Sequence, residues 1–348
     1  MRVDYVRSLA RAAWDNGVRG IPSPLILLLE PSQRCNAACG FCYHHEEKAE
    51  GGELTLDEIR TLLKDAWALG CRVFYLSGGE PTIHPRLLEI LEEAHAVGYR
   101  TSLTTNGSRL ASVLPRVARL VEGVTVSIDH PGEEHDRIRR LPGLYASAVA
   151  GLVEAERLGV PSRINMSLGT LNRDQVPGMI ALAGSVGAGL HVRLLTREST
   201  AMDVPSLAPA DARAAAHELL ELKREHPRVL ITPAAYFRRI ADAEPFQCRL
   251  LSLLVNVDSS GRVYVPCPRW EGTKQRVAGS IRKHPLPVIW WSREAGRIRE
   301  EAAACRPRPD CYTSCVLDIS LLAGLDASML LEQVLAAGSL FRYFWRRP

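Results

Sequence analysis

The stretch PLILLLEPSQRCNAACGFC, residues 24–42, joins a short apolar run to three closely spaced cysteines. An apolar run of this length is typical of a strand buried on both faces, as the strands of parallel sheets are. The cysteines, Cys35, Cys39 and Cys42, therefore follow directly after a predicted strand. Chemistry is expected at that place in an α/β fold, because ligands bind beyond the carboxyl ends of parallel strands.

The chain that follows alternates regularly between predicted strands and predicted helices. Six strand–helix units run from residue 24 onward, and the last ends in a long helix over 209–225. Regular alternation predicts a parallel sheet with right-handed crossovers. Six units fit an open, partial (β/α)6 TIM-like barrel better than a closed eightfold one. Polar or glycine-rich loops follow three of the strands: SGGEP at 77–81, TTNG at 104–107 and SIDHP at 127–131.

The composition is that of an ordinary globular protein. Of 348 residues, 46% are hydrophobic and 24% charged, and the net charge of +4 with no nucleic-acid-binding motif predicts no nucleic-acid partner. We find no membrane-length apolar run and no secretory signal at the start of the sequence, so we expect a cytoplasmic, reducing location. Clustered thiols are interpreted there as metal ligands, whereas the isolated Cys71 is interpreted as a core residue.

Three close thiols suit a metal centre with one position left open. Iron–sulfur clusters normally use four cysteine ligands, so three would leave one iron of a [4Fe–4S] cluster free for another molecule. Zinc with three protein ligands and a water is the alternative. The neighbouring His44 and His45 cannot easily face the same ion as Cys42, which favours the cluster.

Cys35-x3-Cys39-x2-Cys42, with Phe41 before the last cysteine and Gly78-Gly79-Glu80-Pro81 after the second strand, resembles the signature of the radical S-adenosylmethionine (SAM) superfamily. The resemblance covers residues 24–195. It implies that the amine and carboxylate of SAM bind the open iron. One electron would then cleave SAM to methionine and a 5′-deoxyadenosyl radical, which abstracts a substrate hydrogen. The resemblance also implies a reductant protein such as flavodoxin or ferredoxin.

The same resemblance implies roles for the residues at the strand ends. Six of them would contact the cofactor: Phe41, Gly78, Gly79, Glu80, Asn106 and Ser127. Phe41 would pack beside the adenine, and the Gly-Gly-Glu loop would bind the methionine amine through its backbone and the Glu80 carboxylate. Two further residues are candidates for the chemistry itself. Asp129 would point toward the substrate, and Arg139 would lie near the SAM carboxylate.

Five more cysteines fall in the second half of the chain: Cys248, Cys267, Cys305, Cys311 and Cys315. The stretch VNVDSSGRVYVPC, residues 255–267, predicts a β-hairpin with a Ser-Ser-Gly turn. The set resembles the auxiliary-cluster extension of radical SAM enzymes called SPASM or, in its shorter form, twitch. The full pattern has seven cysteines and two clusters, so five imply one auxiliary [4Fe–4S] cluster. Its surest ligands are Cys248 and Cys267, with zinc as the alternative.

These observations divide the chain into three predicted parts. Residues 1–23 form an amphipathic lead-in, residues 24–230 the barrel, and residues 231–348 a small α+β cluster-binding domain with C-terminal helices. The lead-in and the tail LFRYFWRRP at 340–348 mix apolar residues with arginines, which is compatible either with peripheral membrane contact or with helices that pack on the core.

The expected substrate is a small molecule or a peptide that undergoes oxidation or modification. A lipid or isoprenoid substrate is the alternative, because the start of the chain is also similar to the radical SAM enzyme that adenosylates hopanoid lipids. A non-catalytic iron–sulfur electron carrier is disfavoured, since a carrier needs neither an open iron nor a Gly-Gly-Glu loop.

Overall fold

The computed structural model describes residues 2–42, 52–195, 207–249, 251–266 and 275–305. In these ranges the strands are β1 (Ile26–Leu29), β2 (Val73–Leu76), β3 (Arg100–Thr105), β4 (Gly123–Ser127), β5 (Ser162–Leu168), β6 (Gly189–Leu194), β7 (Leu254–Val257), β8 (Arg262–Pro266) and β9 (Gln275–Ser280). The helices are α1 (Arg2–Trp14), α2 (Leu56–Leu69), α3 (Leu87–Val97), α4 (Leu110–Val117), α5 (Glu134–Arg139), α6 (Leu144–Arg157), α7 (Val176–Ser185), α8 (Pro209–Glu225), α9 (Ala234–Ala241), α10 (Leu286–Trp290) and α11 (Arg293–Ala304).

The first six strands are parallel and lie side by side in chain order, which confirms the predicted partial barrel. Local signals explain where its helices begin. At α2 the Thr55 side chain accepts a hydrogen bond from the Glu58 backbone N–H, and the Glu58 carboxylate accepts one from the Thr55 N–H. This reciprocal cap satisfies two backbone donors at the helix start. The six-residue α5 was not anticipated, because it is too short to show a helical period.

The sheet does not stop at β1, and this differs from the sequence expectation. β7 pairs with β1 in parallel, and β8 and β9 then follow antiparallel, so the second part of the chain extends the barrel sheet. The pairing gives β1 hydrogen-bond partners on both sides, where an edge strand would expose unpaired backbone groups. The predicted hairpin is confirmed as β7–β8. Its turn is held by Asp258, whose Oδ1 accepts from the N–H groups of Ser260 and Arg262, while Gly261 adopts φ +82°.

Residues beyond the predicted boundary at 230 share the barrel core. Leu230 bridges to Leu190 beside β6, and Tyr236 on α9 is fully buried. The Tyr236 hydroxyl accepts a hydrogen bond from the Leu194 N–H at 3.2 Å. The segment through α9 therefore packs as part of the barrel, and the three-part division of the chain stays a prediction.

The two faces of the sheet are covered unequally. Helices cover one face and bury its alternate residues in the main core, including Leu27, Phe74, Leu103, Val126, Ile164 and Val192. Cys71 lies in this core with no exposed surface, as expected. On the opposite face α1 packs over the start of β1 and β7, where Ala12 joins Ile26 and Leu254 in a small apolar cluster. No helix in the described ranges is both long enough and apolar enough to cross a membrane.

Candidate active site

The three signature cysteines lie on the loop that follows β1, beyond the carboxyl end of the strand. Cys39 is buried, and Cys35 and Cys42 are half-buried. The loop is fixed at two points: the Cys42 N–H donates to the Cys39 carbonyl at 3.1 Å, and the Ala38 N–H donates to the Arg139 carbonyl at 3.2 Å. The loop is thus tied both to itself and to α5.

The donors around the sulfurs fit a thiolate-bound cluster. The Ala37 N–H points to the Cys35 sulfur at 3.4 Å, and the positive charge of Arg139 favours the thiolate form of Cys39. Burial raises the pKa of the Cys35 and Cys39 thiols, and the Arg139 guanidinium opposes that rise at both. Such donors stabilise the thiolate form that metals bind.

A single zinc ion and a cluster place different demands on the three cysteines. No three His, Cys, Asp or Glu side chains in the described ranges converge on one point that a single ion would occupy. Zinc requires such convergence, with sulfurs about 2.3 Å from the metal. Three thiolates of a cubane cluster bind three separate irons, so they need not converge.

The Gly-Gly-Glu loop after β2 runs against the cysteine loop. The Gly79 N–H donates to the Ser32 carbonyl at 2.9 Å, and the Glu80 N–H donates to the Arg34 carbonyl at 2.8 Å. A Cβ at Gly79 would lie 2.2 Å from the Arg34 oxygen, and one at Gly78 would lie 2.7 Å from the Ser32 oxygen. Glycine is required at both positions because the two backbones approach too closely for a side chain.

The Glu80 carboxylate has a different orientation from the one expected. It is 2% exposed and accepts four hydrogen bonds within the protein. Oε1 accepts from the Thr82 N–H, the Thr82 hydroxyl and the Thr105 hydroxyl, and Oε2 accepts from the Asn106 N–H at 2.6 Å. The carboxylate therefore clamps the β2 loop to the β3 loop, and its expected contact with a methionine amine stays a prediction.

The β3 loop is in turn linked to the cysteine loop. Asn106 donates to the Asn36 side-chain oxygen at 2.9 Å and lies 4.0 Å from the Cys35 sulfur, and Asn36 donates to Ser108. Sequence reasoning found Asn106 but missed Asn36, which gives no signal beyond its position between two cysteines. Ser127 is half-buried at the end of β4. It lies on the sheet face opposite the main core, which is called the open face below.

Asp129 and Arg139 form a buried ion pair, which corrects the expectation for Asp129. The Arg139 Nε donates to Asp129 Oδ2 at 2.8 Å, and the Ser167 N–H donates to Oδ1 at 2.8 Å. Asp129 is 0% exposed and its carboxylate is bonded to these partners, whereas the sequence predicted that it points toward the substrate. Burial raises the pKa of Asp129, but Arg139 together with the smaller effects of His135 and the Ser167 N–H brings the pKa below the ordinary value.

Arg139 also contacts the cysteine loop. Its guanidinium lies 5.4 Å from the centre of the Phe41 ring, and its charge lowers the pKa of the Cys39 thiol against the effect of burial. Arg139 thus lies between a buried carboxylate and the signature thiols, and Phe41 packs beside it. In this position Arg139 can hold the cysteine loop and Phe41 in a fixed orientation.

His135 belongs to the same cluster and was missed from the sequence. It is fully buried, and its Nδ1 accepts a hydrogen bond from the Asp129 N–H at 3.1 Å. Burial, aided by Arg139, lowers the pKa of His135 to about 4. The ring is therefore neutral at physiological pH and acts as a fixed support for the β4 end.

Two of the auxiliary cysteines fall within the described ranges. Cys248 is buried, and Cys305 is half-buried at the end of α11. Arg299 on α11 donates to the Leu251 carbonyl at 2.7 Å, which brings this helix beside the segment that carries Cys248. Three other cysteines and two histidines named above lie outside the described residues: Cys267, Cys311, Cys315, His44 and His45.

Comparison with known proteins agrees with this site. Residues 29–183 match the sequence model of the Radical SAM superfamily. The AdoMet-dependent heme synthase of Methanosarcina barkeri is 27% identical over 299 residues, which are 79% of this chain and 84% of that protein. The PqqA peptide cyclase of Xanthomonas campestris is 29% identical over 341 residues, 89% of this chain and 86% of that protein.

A solved structure has the same fold. The crystal structure of Streptococcus suis SuiB bound to S-adenosylmethionine superposes with a TM-score of 0.65 at 17% identity, covering 84% of this chain and 71% of that one. The family match begins at the last residue of β1, ends within α7, and includes the cysteine, Gly-Gly-Glu and β4 loops. Residues 29–183 therefore form a radical SAM domain, a type of domain that uses a [4Fe–4S] cluster and S-adenosylmethionine, and the relatives that cover most of the chain are enzymes.

Proposed function

We propose that the chain uses these cofactors to abstract a hydrogen atom from a substrate held on the open face of the barrel. When bound, the cluster and SAM supply a 5′-deoxyadenosyl radical, formed with methionine after one-electron reduction. The observation that supports this proposal most directly is how the cysteine loop is held in place. It is hydrogen-bonded to the β2 loop through Ser32, to the β3 loop through Asn106, and to α5 at Arg139. Fixed loops of this kind supply orientation, while the radical chemistry belongs to the cofactor.

Each loop has a separate task in this proposal. Cys35, Cys39 and Cys42 would hold the cluster, and the backbone of Gly78–Glu80 would bind the methionine amine. The carboxylate of Glu80 keeps that backbone in place through its bonds to the β3 loop. Ser127 and Asn106 would reach the ribose or the methionyl end, and Phe41 would lie beside the adenine.

Arg139 and Asp129 are positioning residues in this proposal. The guanidinium places a fixed positive charge beside thiolates that would otherwise be costly to bury. The carboxylate of Asp129 neutralises that charge on the far side and fixes its direction. Neither group needs to exchange a proton during the reaction.

The second half of the chain would hold an auxiliary [4Fe–4S] cluster. Such a cluster is typical of SPASM-type enzymes, and its chemistry would be electron transfer to or from the substrate. Cys248 and Cys305 support the proposal, because the Arg299–Leu251 hydrogen bond joins the elements that carry them. The remaining ligands would come from Cys267, Cys311 and Cys315.

The substrate would be an organic molecule of the size of a peptide or a tetrapyrrole. Two relatives that cover most of the chain are named for acting on such molecules, one a heme synthase and the other a peptide cyclase. The electron would come from a flavodoxin or ferredoxin. Lipid modification with peripheral membrane contact is the second candidate, favoured by the exposed Leu9 and Trp14 of α1, which are 44% and 58% exposed.

The test is SAM cleavage by the reconstituted enzyme. The protein is loaded anaerobically with iron and sulfide, reduced with dithionite, and supplied with SAM. We expect 5′-deoxyadenosine and methionine in equal amounts, and about eight irons per chain if both clusters form. An iron-loaded, folded protein that releases no 5′-deoxyadenosine would refute the proposal, and saturation at about four irons would refute the auxiliary cluster alone.

A further inference from the structure

The open face of the sheet changes character between β1 and β6. Near β1 and β2 it is apolar, and α1 covers it through Ala12, which packs with Ile26 beside Val73 and Tyr75. Near β4, β5 and β6 the residues on this face are polar or basic: Thr125, Ser127, Arg163, Asn165, His191 and Arg193. The intervening residues, such as Ile164 and Val192, lie in the helix-covered core, so strand alternation places the polar set on the open side.

Two arginines stand out in this polar set, because they are half-buried and have no counter-charge among the residues that the structure describes. The Arg163 Nε donates to the Thr125 hydroxyl at 2.6 Å, and the Arg193 Nε donates to the Ser167 hydroxyl at 3.3 Å. Among the residues that the structure describes, neither guanidinium lies within ion-pairing distance of a carboxylate. Each guanidinium has five N–H donors, so four remain on each side chain for another acceptor.

Two other shielded arginines of this protein each have a carboxylate partner. Arg139 has the buried carboxylate of Asp129 at 2.8 Å, and Arg60, whose side chain is 36% exposed, has Glu93 at 2.6 Å. A half-buried guanidinium that lacks such a partner has lost part of its hydration without a compensating charge. An anionic ligand would supply the compensating negative charge to Arg163 and Arg193.

The strand register sets the two arginines apart along the face. Arg193 on β6 lies level with Ser167 on β5, whereas Arg163 lies four residues earlier on β5. The two rows are about 13 Å apart along the strands, at roughly 3.3 Å per residue. Arg193 is therefore at the rim, beside the Ser167 that bonds Asp129, and Arg163 is deeper. Asn165 and His191 occupy the row between them, 3.2 Å apart.

We infer that this face binds a substrate with at least two carboxylates, one held by Arg193 at the rim and one by Arg163 below it. Arginine suits this task, since its planar fork binds a carboxylate through two parallel hydrogen bonds. The inference rests on the proposed function, because it places the substrate on the same open face. A porphyrin with propionate side chains has the required chemistry.

The probe is coproporphyrin III, with its tetramethyl ester as the uncharged match. Both are titrated into the iron-loaded enzyme in the same non-ionic detergent, and binding is followed by the change in porphyrin absorbance. We expect the wild-type protein to bind the free acid at least about tenfold more tightly than the ester. Arg163→Gln and Arg193→Gln should each weaken acid binding by about tenfold to a hundredfold, with little change for the ester. Arg116→Gln, at an exposed arginine of α4, is the control and should bind as the wild type does.

Three results would overturn the inference. The first is a wild-type protein that does not prefer the acid over the ester. The second is a folded Gln variant, or an Ala variant if the Gln variant does not fold, with undiminished acid affinity. The third is a parallel loss of SAM affinity, which would assign the arginines to the cofactor. Release of 5′-deoxyadenosine without porphyrin is measured in the same samples, so failure of SAM cleavage and failure of carboxylate recognition are separate outcomes.

Discussion

The two ends of the barrel rim differ in how their polar groups are satisfied. At the β1–β3 end the chain's own groups complete the hydrogen bonding, as the four bonds to Glu80 illustrate. At the β5–β6 end, Arg163 and Arg193 each donate one described hydrogen bond to a hydroxyl. Loops that are already fixed in place suit a site that always binds the same cofactor. Guanidinium N–H groups with no described acceptor lie instead where the substrate is proposed to bind.

The largest effect should come from removing the thiols at the fixed end. Substituting Ala at Cys35, Cys39 and Cys42 together should lower the iron content by about four per chain and abolish 5′-deoxyadenosine release, because the SAM-binding cluster loses its ligands. Iron analysis and chromatography of the products measure the two effects. Cys71→Ala is the control, since Cys71 is buried in the helix-covered core, and it should retain the iron. Retention of SAM cleavage by the triple variant would contradict the ligand assignment.

Next in size should be the loss of the charge behind the cysteine loop. Asp129→Asn leaves the Arg139 guanidinium buried without its counter-charge, so we expect the free energy of unfolding to fall by about 3–5 kcal/mol. The freed positive charge should also raise the reduction potential of the nearby cluster, measured by EPR-monitored titration. The control is Asp57→Asn, which replaces an exposed carboxylate that pairs with Arg60. It should lower the free energy of unfolding by about 1 kcal/mol or less. Equal losses in the two variants, or an unchanged potential, would argue against a positioning role for Asp129.

A smaller effect is expected where the two loops touch. Gly79→Ala would place a Cβ 2.2 Å from the Arg34 oxygen, and relieving the overlap should cost about 1–3 kcal/mol and displace the loop. SAM affinity should fall with stability, which calorimetry and thermal unfolding can follow together. The control is Gly184→Ala in α7, where nothing lies within 4 Å, and it should be neutral or stabilising by up to about 1 kcal/mol. A Gly79 variant that behaves like the control would show that close approach is not needed.

The comparison also shows which features could be read from the sequence. α8 and the β7–β8 hairpin were predicted because their patterns are local, namely one helical period and one turn with glycine. The pairing of β7 with β1 could not be predicted, since an apolar run carries no information about its partner across more than two hundred residues. The orientations of Glu80 and Asp129 were missed for the same reason. Each depends on donors that folding brings from other loops, such as the Ser167 N–H.

The smallest effect should come from the exposed link between the cysteine loop and the β3 loop. Asn36→Ala removes the acceptor of the 2.9 Å bond from Asn106, and a neutral hydrogen bond contributes about 0.5–1.5 kcal/mol net. Asn36 is exposed, so water can take the place of its side chain beside the buried Asn106 amide. Stability should therefore change little, and SAM affinity should fall by no more than about tenfold. Gln175→Ala, which removes a surface amide bonded to Asp174, is the control and should leave SAM affinity unchanged. If Asn36→Ala abolished cluster assembly, the link would be essential, and the fixed end of the rim would depend on its most exposed contact rather than on Glu80 and Arg139.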